Sequence, residues 1–223
     1  DASNPFSPEQ VDTVRYPSET LEAGGGDCDD LAVVYASMLE AAGVPSLLVL
    51  TPGHVLVGVR VPMSASLVRS VDAFSERYFA HEGVTYAPVE TTLVGTGFVN
   101  AWRSGARLLA SLKDDRGAVV KRVAPRDAWK RFPPRRARGA ARPPLPPAPS
   151  PARVRSLLDA LDADQSRWVE SQLTRLKRQG GVLALNQAGT LLVATGRYDE
   201  ARTQFSDSLE LRVTAPALNN LGN

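Results

Sequence analysis

A run of prolines past the middle of the chain sets the strongest limit on the fold. Eight of the 17 prolines in the 223-residue sequence lie between Pro133 and Pro151. Proline has no amide hydrogen to donate and pushes the residue before it towards extended conformations, so this stretch forms neither a helix nor a central strand. We therefore predict a semi-rigid linker over residues 126–152, between a first domain at residues 1–125 and a second segment at residues 153–223.

The positive charge of the protein is concentrated around the same linker. Residues 1–121 carry a net charge of −6, residues 122–153 carry +8 and residues 154–223 are neutral, which gives +2 for the whole chain. A basic, proline-rich stretch could bind an anionic surface, a nucleic acid or a proline-recognition module. Aromatic side chains that could stack on bases do not alternate with the arginines, so no nucleic-acid partner is expected and a solvated linker is favoured.

Cys28 is the only cysteine of the chain. A single cysteine excludes an intramolecular disulfide framework and any zinc or iron–sulfur site built from several thiolates. It leaves two roles open, a reactive thiol or a small buried apolar side chain. Hydrophobic residues make up 43% of the sequence, as is ordinary for a folded protein. The sequence contains no run of about 18 apolar residues, so no membrane span is predicted.

Cys28 follows a glycine-rich turn and opens a predicted helix. Apolar residues recur at helical spacing over residues 31–42, and a glycine and a proline then end the pattern. The amides and dipole of a helix N-terminus stabilise a thiolate, the nucleophilic form of cysteine, and can also hold an oxyanion. The neighbouring Asp27, Asp29 and Asp30 oppose this effect, because nearby negative charge raises the pKa of a thiol. A nearby imidazolium would be needed to overcome them.

Two predicted strands follow the helix, and the second begins with a histidine. Residues 46–51 and 54–61 are rich in β-branched and leucine side chains and are separated by a proline–glycine turn. His54 is expected at the rim of the sheet, where it could take a proton from Cys28. The other histidine, His81, lies in a polar stretch and is predicted to occupy a solvated turn.

A third side chain is expected to orient the imidazole of His54. Glu90 lies near the end of an extended segment at residues 84–92, and Asp72 is its competitor. Spacing in the sequence does not choose between these two carboxylates.

Three short motifs occur in the order found in the transglutaminase-like superfamily. They are Gly-Asp-Cys at residues 26–28, Gly-His-Val at residues 53–55 and Tyr-Ala-Pro-Val-Glu-Thr-Thr at residues 86–92. Residues 10–105, with a final helix at 98–102, most resemble the bacterial cysteine-peptidase branch of that superfamily. The resemblance implies an α+β fold with a papain-like core, in which a helix packs on an antiparallel sheet.

The same resemblance implies a catalytic role for each of three residues. Cys28 would be the nucleophile, His54 the general base and acid, and Glu90 the orienting carboxylate. The superfamily more often has aspartate at the third position and tryptophan at the position of Tyr86. Because glutamate is one methylene longer than aspartate, we expect the strand that carries Glu90 to lie further from His54, which preserves the hydrogen bond. The implied chemistry is acyl transfer from a protein or peptide amide, to water in a peptidase or amidase or to an amine in a cross-linking enzyme. No cofactor and no bound metal are expected.

Two other functions remain open. A non-catalytic protein-binding scaffold could keep the same fold and leave the three side chains unused. A single-metal hydrolase could use Cys28, His54 and an acid, but the sequence has no second histidine at ligand spacing. The sequence does not indicate a cellular compartment.

The segment after the linker is predicted to be all α-helical. Helical periodicity runs over residues 153–178 and is broken by Gly180-Gly181. Residues 183–192 and 198–205 then predict two amphipathic helices that meet at Gly196.

The details of this pair of helices resemble a tetratricopeptide repeat. Small residues at Gly189 and Ala201 would allow the two helices to pack closely, while Tyr198 supplies the aromatic residue of the motif and Phe205 its large apolar residue. A second repeat opens near Gly222, about one repeat length after Gly189. The resemblance implies a helical-repeat segment that binds a protein ligand. Little more than one repeat cannot bury a solenoid core, so we expect a truncated chain with further repeats beyond it. A plain helical hairpin is the alternative.

Overall fold

The computed structural model describes residues 13–93, 95–113, 119–134 and 147–222. By its internal contacts the chain divides into two compact units, residues 1–68 with 74–147 and residues 69–73 with 148–223. Within residues 13–134 the α-helices are α1 (Pro17–Ala23), α2 (Cys28–Ala41), α3 (Ala65–Ser70), α4 (Asp72–Ser75), α5 (Phe98–Lys113) and α6 (Pro125–Arg131), with a short 3₁₀ helix at Thr91–Leu93. The strands are β1 (Ser46–Thr51), β2 (His54–Ser64), β3 (Phe79–His81), β4 (Val84–Val89) and β5 (Lys121–Val123).

These strands form one antiparallel sheet in the order β3-β4-β2-β1-β5. The hairpin of β1 and β2 pairs Thr51 with His54 across a two-residue turn. Gly53 of this turn has a φ of 68°, a left-handed conformation that glycine adopts without the steric cost of a Cβ. Both strands predicted for this region are therefore present, and β2 extends further, to Ser64.

The sheet separates two apolar layers, because successive side chains of a strand point to opposite faces. On one face, Val57 of β2 packs with Ala32 and Ala36 of α2. On the other face, Leu56 belongs to a buried cluster that packs against Leu108 of α5. The predicted α+β class, with helices packed on an antiparallel sheet, is confirmed.

Helix α6 occupies the start of the segment predicted to be a linker. The only proline at this point, Pro125, lies in the first turn of the helix, where its missing amide hydrogen is not needed. Arg126 then contacts Glu40 of α2, with Nε 2.6 Å from Oε2. Residues 126–131 of the predicted linker are therefore helical, and so are residues 151–152 at its other end, where a helix begins at Pro151. The prediction of a linker is wrong for these residues, and most of the proline- and arginine-rich stretch, residues 135–146, lies outside the described residues.

The second unit consists mainly of helices α7 (Pro151–Gln179), α8 (Gly181–Ala194), α9 (Tyr198–Leu211) and α10 (Ala215–Gly222). The two amphipathic helices predicted on either side of Gly196 are present as α8 and α9, and Gly196 has a φ of 77°. A Cβ added at Gly189 would lie 2.4 Å from Cε1 of Phe205. The aromatic ring therefore packs directly against the backbone of α8, which only glycine permits at this position.

Helix α7 is the longest described helix, with 29 residues. Charged side chains such as Asp159, Glu170 and Lys177 recur along it. No helix in the described ranges is both long and apolar enough to cross a bilayer, as expected from the sequence.

Candidate active site

Cys28 is the first residue of α2 because Asp27 caps the helix. Asp27 has extended backbone angles, and its Oδ1 accepts a hydrogen bond from the backbone amide of Asp30 at 3.3 Å. This is the usual way in which an aspartate satisfies one of the unpaired amides at a helix N-terminus. The prediction that Cys28 lies at or near a helix N-terminus is confirmed.

The turn before Cys28 is fixed by the buried carboxylate of Asp30. Oδ1 of Asp30 accepts a hydrogen bond from the backbone amide of Arg15 at 2.7 Å, and the Arg15 guanidinium lies 3.6 Å from Oδ2. A Cβ added at Gly26 would lie 2.5 Å from Cβ of Asp30, so no side chain fits there without displacing Asp30. Gly26 is required by the space around it rather than by a left-handed backbone.

His54 is placed by the β1–β2 hairpin, as the first residue of β2. Its carbonyl accepts a hydrogen bond from Oγ1 of Thr51 at 3.0 Å. Its Nε2 lies 2.5 Å from Oε2 of Glu90. Of the two carboxylates considered for this role, Glu90 is therefore the one that contacts the imidazole, and Asp72 lies in α4.

Glu90 directly follows β4 and is held by main-chain contacts with α5. Its amide donates to the carbonyl of Ala101 at 3.0 Å. One helical turn after Ala101, a Cβ added at Gly105 would lie 2.5 Å from the carbonyl oxygen of Pro88. Helix α5 thus packs against the end of β4 at the distance of backbone contact.

Thr92 is a residue of this site that sequence reasoning missed. Oε1 of Glu90 accepts two hydrogen bonds from Thr92, from its amide at 3.0 Å and from its hydroxyl at 2.6 Å. The other carboxylate oxygen is thereby left for His54. No local rule indicated this contact, because turns of this kind are typical of aspartate and asparagine rather than glutamate.

The charges of His54 and Glu90 stabilise each other. The hydrogen bond to Glu90 raises the pKa of His54, although burial of the ring acts in the opposite direction. Burial by itself would raise the pKa of Glu90, but the hydrogen bonds from His54 and Thr92 outweigh it and lower that pKa. Glu90 is therefore ionised at neutral pH and accepts the proton on Nε2 of His54.

The thiol of Cys28 is favoured over its thiolate. Burial raises the pKa of Cys28, the backbone amide of Val55 partly offsets this, and the charges of Asp29 and Asp27 raise it further. The neighbouring aspartates therefore raise the pKa of the Cys28 thiol, as expected from the sequence. At rest, the structure favours a neutral thiol at Cys28 rather than a preformed thiolate.

Cys28 and His54 line one cavity of about 490 Å³. Its walls combine apolar side chains of α2 and β1 with the carboxylates of Asp27 and Asp29. Glu90 is not in this lining and contacts His54 through Nε2. The structure thus brings Cys28 and His54 to the same cavity and places Glu90 against the ring nitrogen Nε2.

His81 does not belong to this cavity. It ends strand β3, and its Nε2 lies 3.9 Å from Oε1 of Glu82. The turn is formed by the next two residues, Glu82 and Gly83, with φ values of 48° and 78°. The prediction of a turn at His81 is therefore wrong by one position, because the strand continues through the histidine.

The carboxylates before and after Cys28 form the one group in the described part of the chain with the spacing of metal ligands. Ligand oxygens of Asp27, Asp29 and Asp30 lie within 4.8 Å of one another. Asp30 is already engaged by Arg15. Cys28 and His54 are not in this group, so the geometry of the described residues does not favour the single-metal hydrolase that would use them.

Comparison of the chain with models of protein families, with curated proteins and with solved structures finds no match. The transglutaminase-like and tetratricopeptide resemblances therefore depend on the short motifs quoted above.

Proposed function

We propose that the first unit is a cysteine-dependent acyl-transfer enzyme that acts on protein or peptide amides and has a papain-like core of the transglutaminase type. The observation that carries this proposal is the hydrogen bond between His54 and Glu90, combined with the cavity that His54 shares with Cys28. Since Glu90 occupies Nε2, Nδ1 is the ring nitrogen left to exchange a proton with the thiol. A nucleophile, a base and an orienting carboxylate in this order are the elements of a catalytic triad.

The proposed reaction needs only the substrate and an acceptor. The thiol proton of Cys28 passes to Nδ1 of His54 while the sulfur bonds to the amide carbon. His54, now an imidazolium stabilised by Glu90, gives that proton to the departing amine as the carbon–nitrogen bond breaks. An acceptor, water or a second amine, then attacks the thioester; His54 takes its proton and returns it to the sulfur as the carbon–sulfur bond breaks.

The N-terminus of α2 supplies a donor for the oxyanion. The amide of Cys28 belongs to the first turn of the helix, where amides have no partner within the helix. It also lies close enough to the sulfur to lower the pKa of the thiol. A carbonyl carbon attacked by Sγ would place its oxygen near this amide, which stabilises the developing negative charge.

The second candidate is a protein-binding scaffold that does not use the three side chains. The observation that favours it is the raised pKa of the Cys28 thiol, since an activated nucleophile more often has a lowered pKa. The two candidates differ in whether His54 controls the reactivity of Cys28.

Alkylation by iodoacetamide separates these candidates, because Cys28 is the only thiol of the chain. The acyl-transfer proposal expects His54→Ala to slow alkylation at neutral pH by about 10²-fold, the usual contribution of a positioned base. His81→Ala is the matched control and should leave the rate unchanged. Equal rates for the unmodified chain and His54→Ala would favour the scaffold.

The proposal also gives the second unit a role in recruiting a protein, through helices similar to a tetratricopeptide repeat. It is supported by a cavity of about 410 Å³ between α8, α9 and α10, with Tyr198 and Arg202 in its lining. Arg202→Glu should raise the KM for a protein substrate and leave the iodoacetamide rate at Cys28 unchanged. An unchanged KM would contradict recruitment at this cavity.

A further inference from the structure

A second and larger cavity adjoins Glu90. It has a volume of about 720 Å³, within the range of binding sites for small ligands. Its walls come from α1, from the face of α2 that carries Val34 and Met38, from residues 89–93 at the end of β4 and beyond it, and from the start of α5. It therefore begins at the carboxylate that contacts His54 and continues along α2.

The lining of this cavity is mostly apolar, with threonines as its uncharged polar side chains. Leu21, Met38 and Phe98 line it while remaining 47%, 51% and 39% exposed. Glu90 is the only residue of the described lining that is charged at neutral pH, and its carboxylate is already bound by His54 and Thr92. Apolar side chains gathered and exposed around one cavity are typical of a binding surface, and this one offers no charge for a ligand to pair with.

Glycines expose main chain along two sides of the cavity. Residues 24–26 form one side, and Gly95 and Gly97 lie on another. Without side chains, these segments allow the backbone of a ligand to approach closely. The amide of Gly26 donates to no described residue, and Gly26 lies two residues before Cys28.

We propose that this cavity binds an apolar side chain of the peptide substrate whose amide is attacked by Cys28. The inference rests on the acyl-transfer function proposed above and defines its substrate class as peptides with an uncharged, apolar residue close to the reacting amide. Proximity to the catalytic residues argues for a substrate, because the lining includes Glu90, which contacts His54, and Gly26, which lies two residues before Cys28. The apolar walls select the side chain, and the glycines accept its backbone.

Two peptidyl chloromethyl ketones of matched size test this selection. In each, the sulfur of Cys28 bonds to the methylene carbon and displaces chloride. The reagent with the sequence N-acetyl-Ala-Leu-Gly should inactivate Cys28 about tenfold faster than the reagent with N-acetyl-Ala-Asn-Gly, because leucine and asparagine have similar shapes and differ in the gain from burial. Equal rates would overturn the proposal.

Variants of the walls show whether the preference arises in this cavity. Leu21→Gln and Met38→Gln should bring the ratio of the two rates close to one and leave the iodoacetamide rate unchanged. Met38→Leu keeps an apolar wall, and Leu183→Gln changes an exposed leucine of the second unit; both should preserve the ratio. A ratio that Leu21→Gln and Met38→Gln leave unchanged would place the selectivity elsewhere.

An unreactive peptide separates failure of the cavity from failure of the enzyme proposal. The amide of N-acetyl-Ala-Leu-Gly should shift the backbone NMR signals of residues around the cavity, such as Gly26 and Leu93, and the asparagine analogue should shift them less. If these shifts occur while alkylation ignores His54, the acyl-transfer function fails and the substrate assignment falls with it, although the cavity still binds the peptide. If alkylation depends on His54 and the shifts do not occur, only the assignment of this cavity is wrong.

Discussion

Nε2 of His54 lies 2.5 Å from Oε2 of Glu90, and the second oxygen of the same carboxylate accepts two hydrogen bonds from Thr92. The carboxylate is therefore held from both sides in one orientation. An imidazole that is bound through Nε2 presents Nδ1 in a fixed direction, which the proton exchange proposed with Cys28 requires.

Replacing Glu90 by glutamine should lower the pKa of His54, because the carboxylate is the main cause of its rise. The raised pKa of His54 stabilises the folded state at pH values below the ordinary imidazole pKa. This stabilisation is lost as the pH rises through the pKa that His54 has in the folded protein. The lowered pKa of Glu90 stabilises the folded state at pH values above the ordinary carboxyl pKa. This stabilisation is lost as the pH falls through the pKa that Glu90 has in the folded protein. Glu90→Gln should therefore destabilise the fold most between these two ordinary pKa values.

Titration by proton NMR measures the pKa of His54. Urea unfolding at several pH values measures the loss in the free energy of unfolding. His81→Gln assigns the signals, because the chain has two histidines. Glu22→Gln, at an exposed position of α1, is the control. An unchanged pKa of His54 in Glu90→Gln would contradict the described contact.

Replacing Thr92 by valine should raise the pKa of Glu90, because the hydroxyl hydrogen bond that helps to lower it is lost. The backbone amide of Thr92 still donates to the same oxygen, so the shift should be partial. We expect a loss of about 1 kcal/mol in the free energy of unfolding. Carbon-13 NMR of the Glu90 carboxyl group follows the titration.

The conservative variant Thr92→Ser is the matched control for this experiment. It keeps the hydroxyl and should keep the pKa of Glu90 low. If serine behaves like valine, the hydroxyl is not what holds the carboxylate.

Replacing Asp29 by asparagine should lower the pKa of Cys28, because the charge of Asp29 contributes to its rise. The shift should be partial, since burial is the larger cause and remains. The rate of iodoacetamide alkylation as a function of pH should move to lower pH. Asp159→Asn, an exposed carboxylate of α7, should not move it, and an equal profile for both variants would rule out this electrostatic effect.

Adding a methyl group at Gly26 should destabilise the first unit, because the new Cβ would lie 2.5 Å from Cβ of Asp30. Forcing these atoms apart should cost about 1–3 kcal/mol, as measured for overpacked sites. Gly25→Ala adds the same group one residue earlier, where no atom lies within 4 Å of it. Urea unfolding of the two variants should separate them clearly, and equal stabilities would contradict the packing of Asp30 on Gly26.

The same comparison applies to the second unit at Gly189, where a Cβ would lie 2.4 Å from the ring of Phe205. Gly189→Ala should cost about 1–3 kcal/mol, because the ring has to move from the surface of α8. Gly222→Ala in α10 meets no atom within 4 Å and should be neutral. A neutral Gly189→Ala would mean that α8 and α9 are not packed through this ring.

Local patterns were enough to predict the elements that carry Cys28 and His54. The helix after Cys28 follows from apolar spacing and its cap from Asp27, while the hairpin before His54 follows from a proline–glycine turn between two β-branched runs. These signals act over a few residues, and the sequence displays them directly.

Contacts between distant residues could not be read in the same way. Glu90 and Asp72 are both carboxylates at plausible distances along the chain, and only the pairing of β4 with β2 brings Glu90 to the imidazole. The helix at Pro125–Arg131 was missed because the prolines that follow it dominated the pattern, although a proline at a helix start is favourable. The apolar cavity beside Glu90 is formed by segments up to 81 positions apart, from Thr20 to Ala101, and no local pattern indicates it.

The hydrogen bond from the amide of Glu90 to the carbonyl of Ala101 makes helix α5 part of the framework of the proposed active site, although α5 supplies none of the three side chains. A piece of the chain that stopped before residue 98 would contain Cys28, His54 and Glu90 and would lack the backbone that fixes the last of them. The smallest unit able to hold the three groups together therefore extends through α5. Under the proposed function, selection should act on the packing of that helix as strongly as on the three side chains that it helps to position.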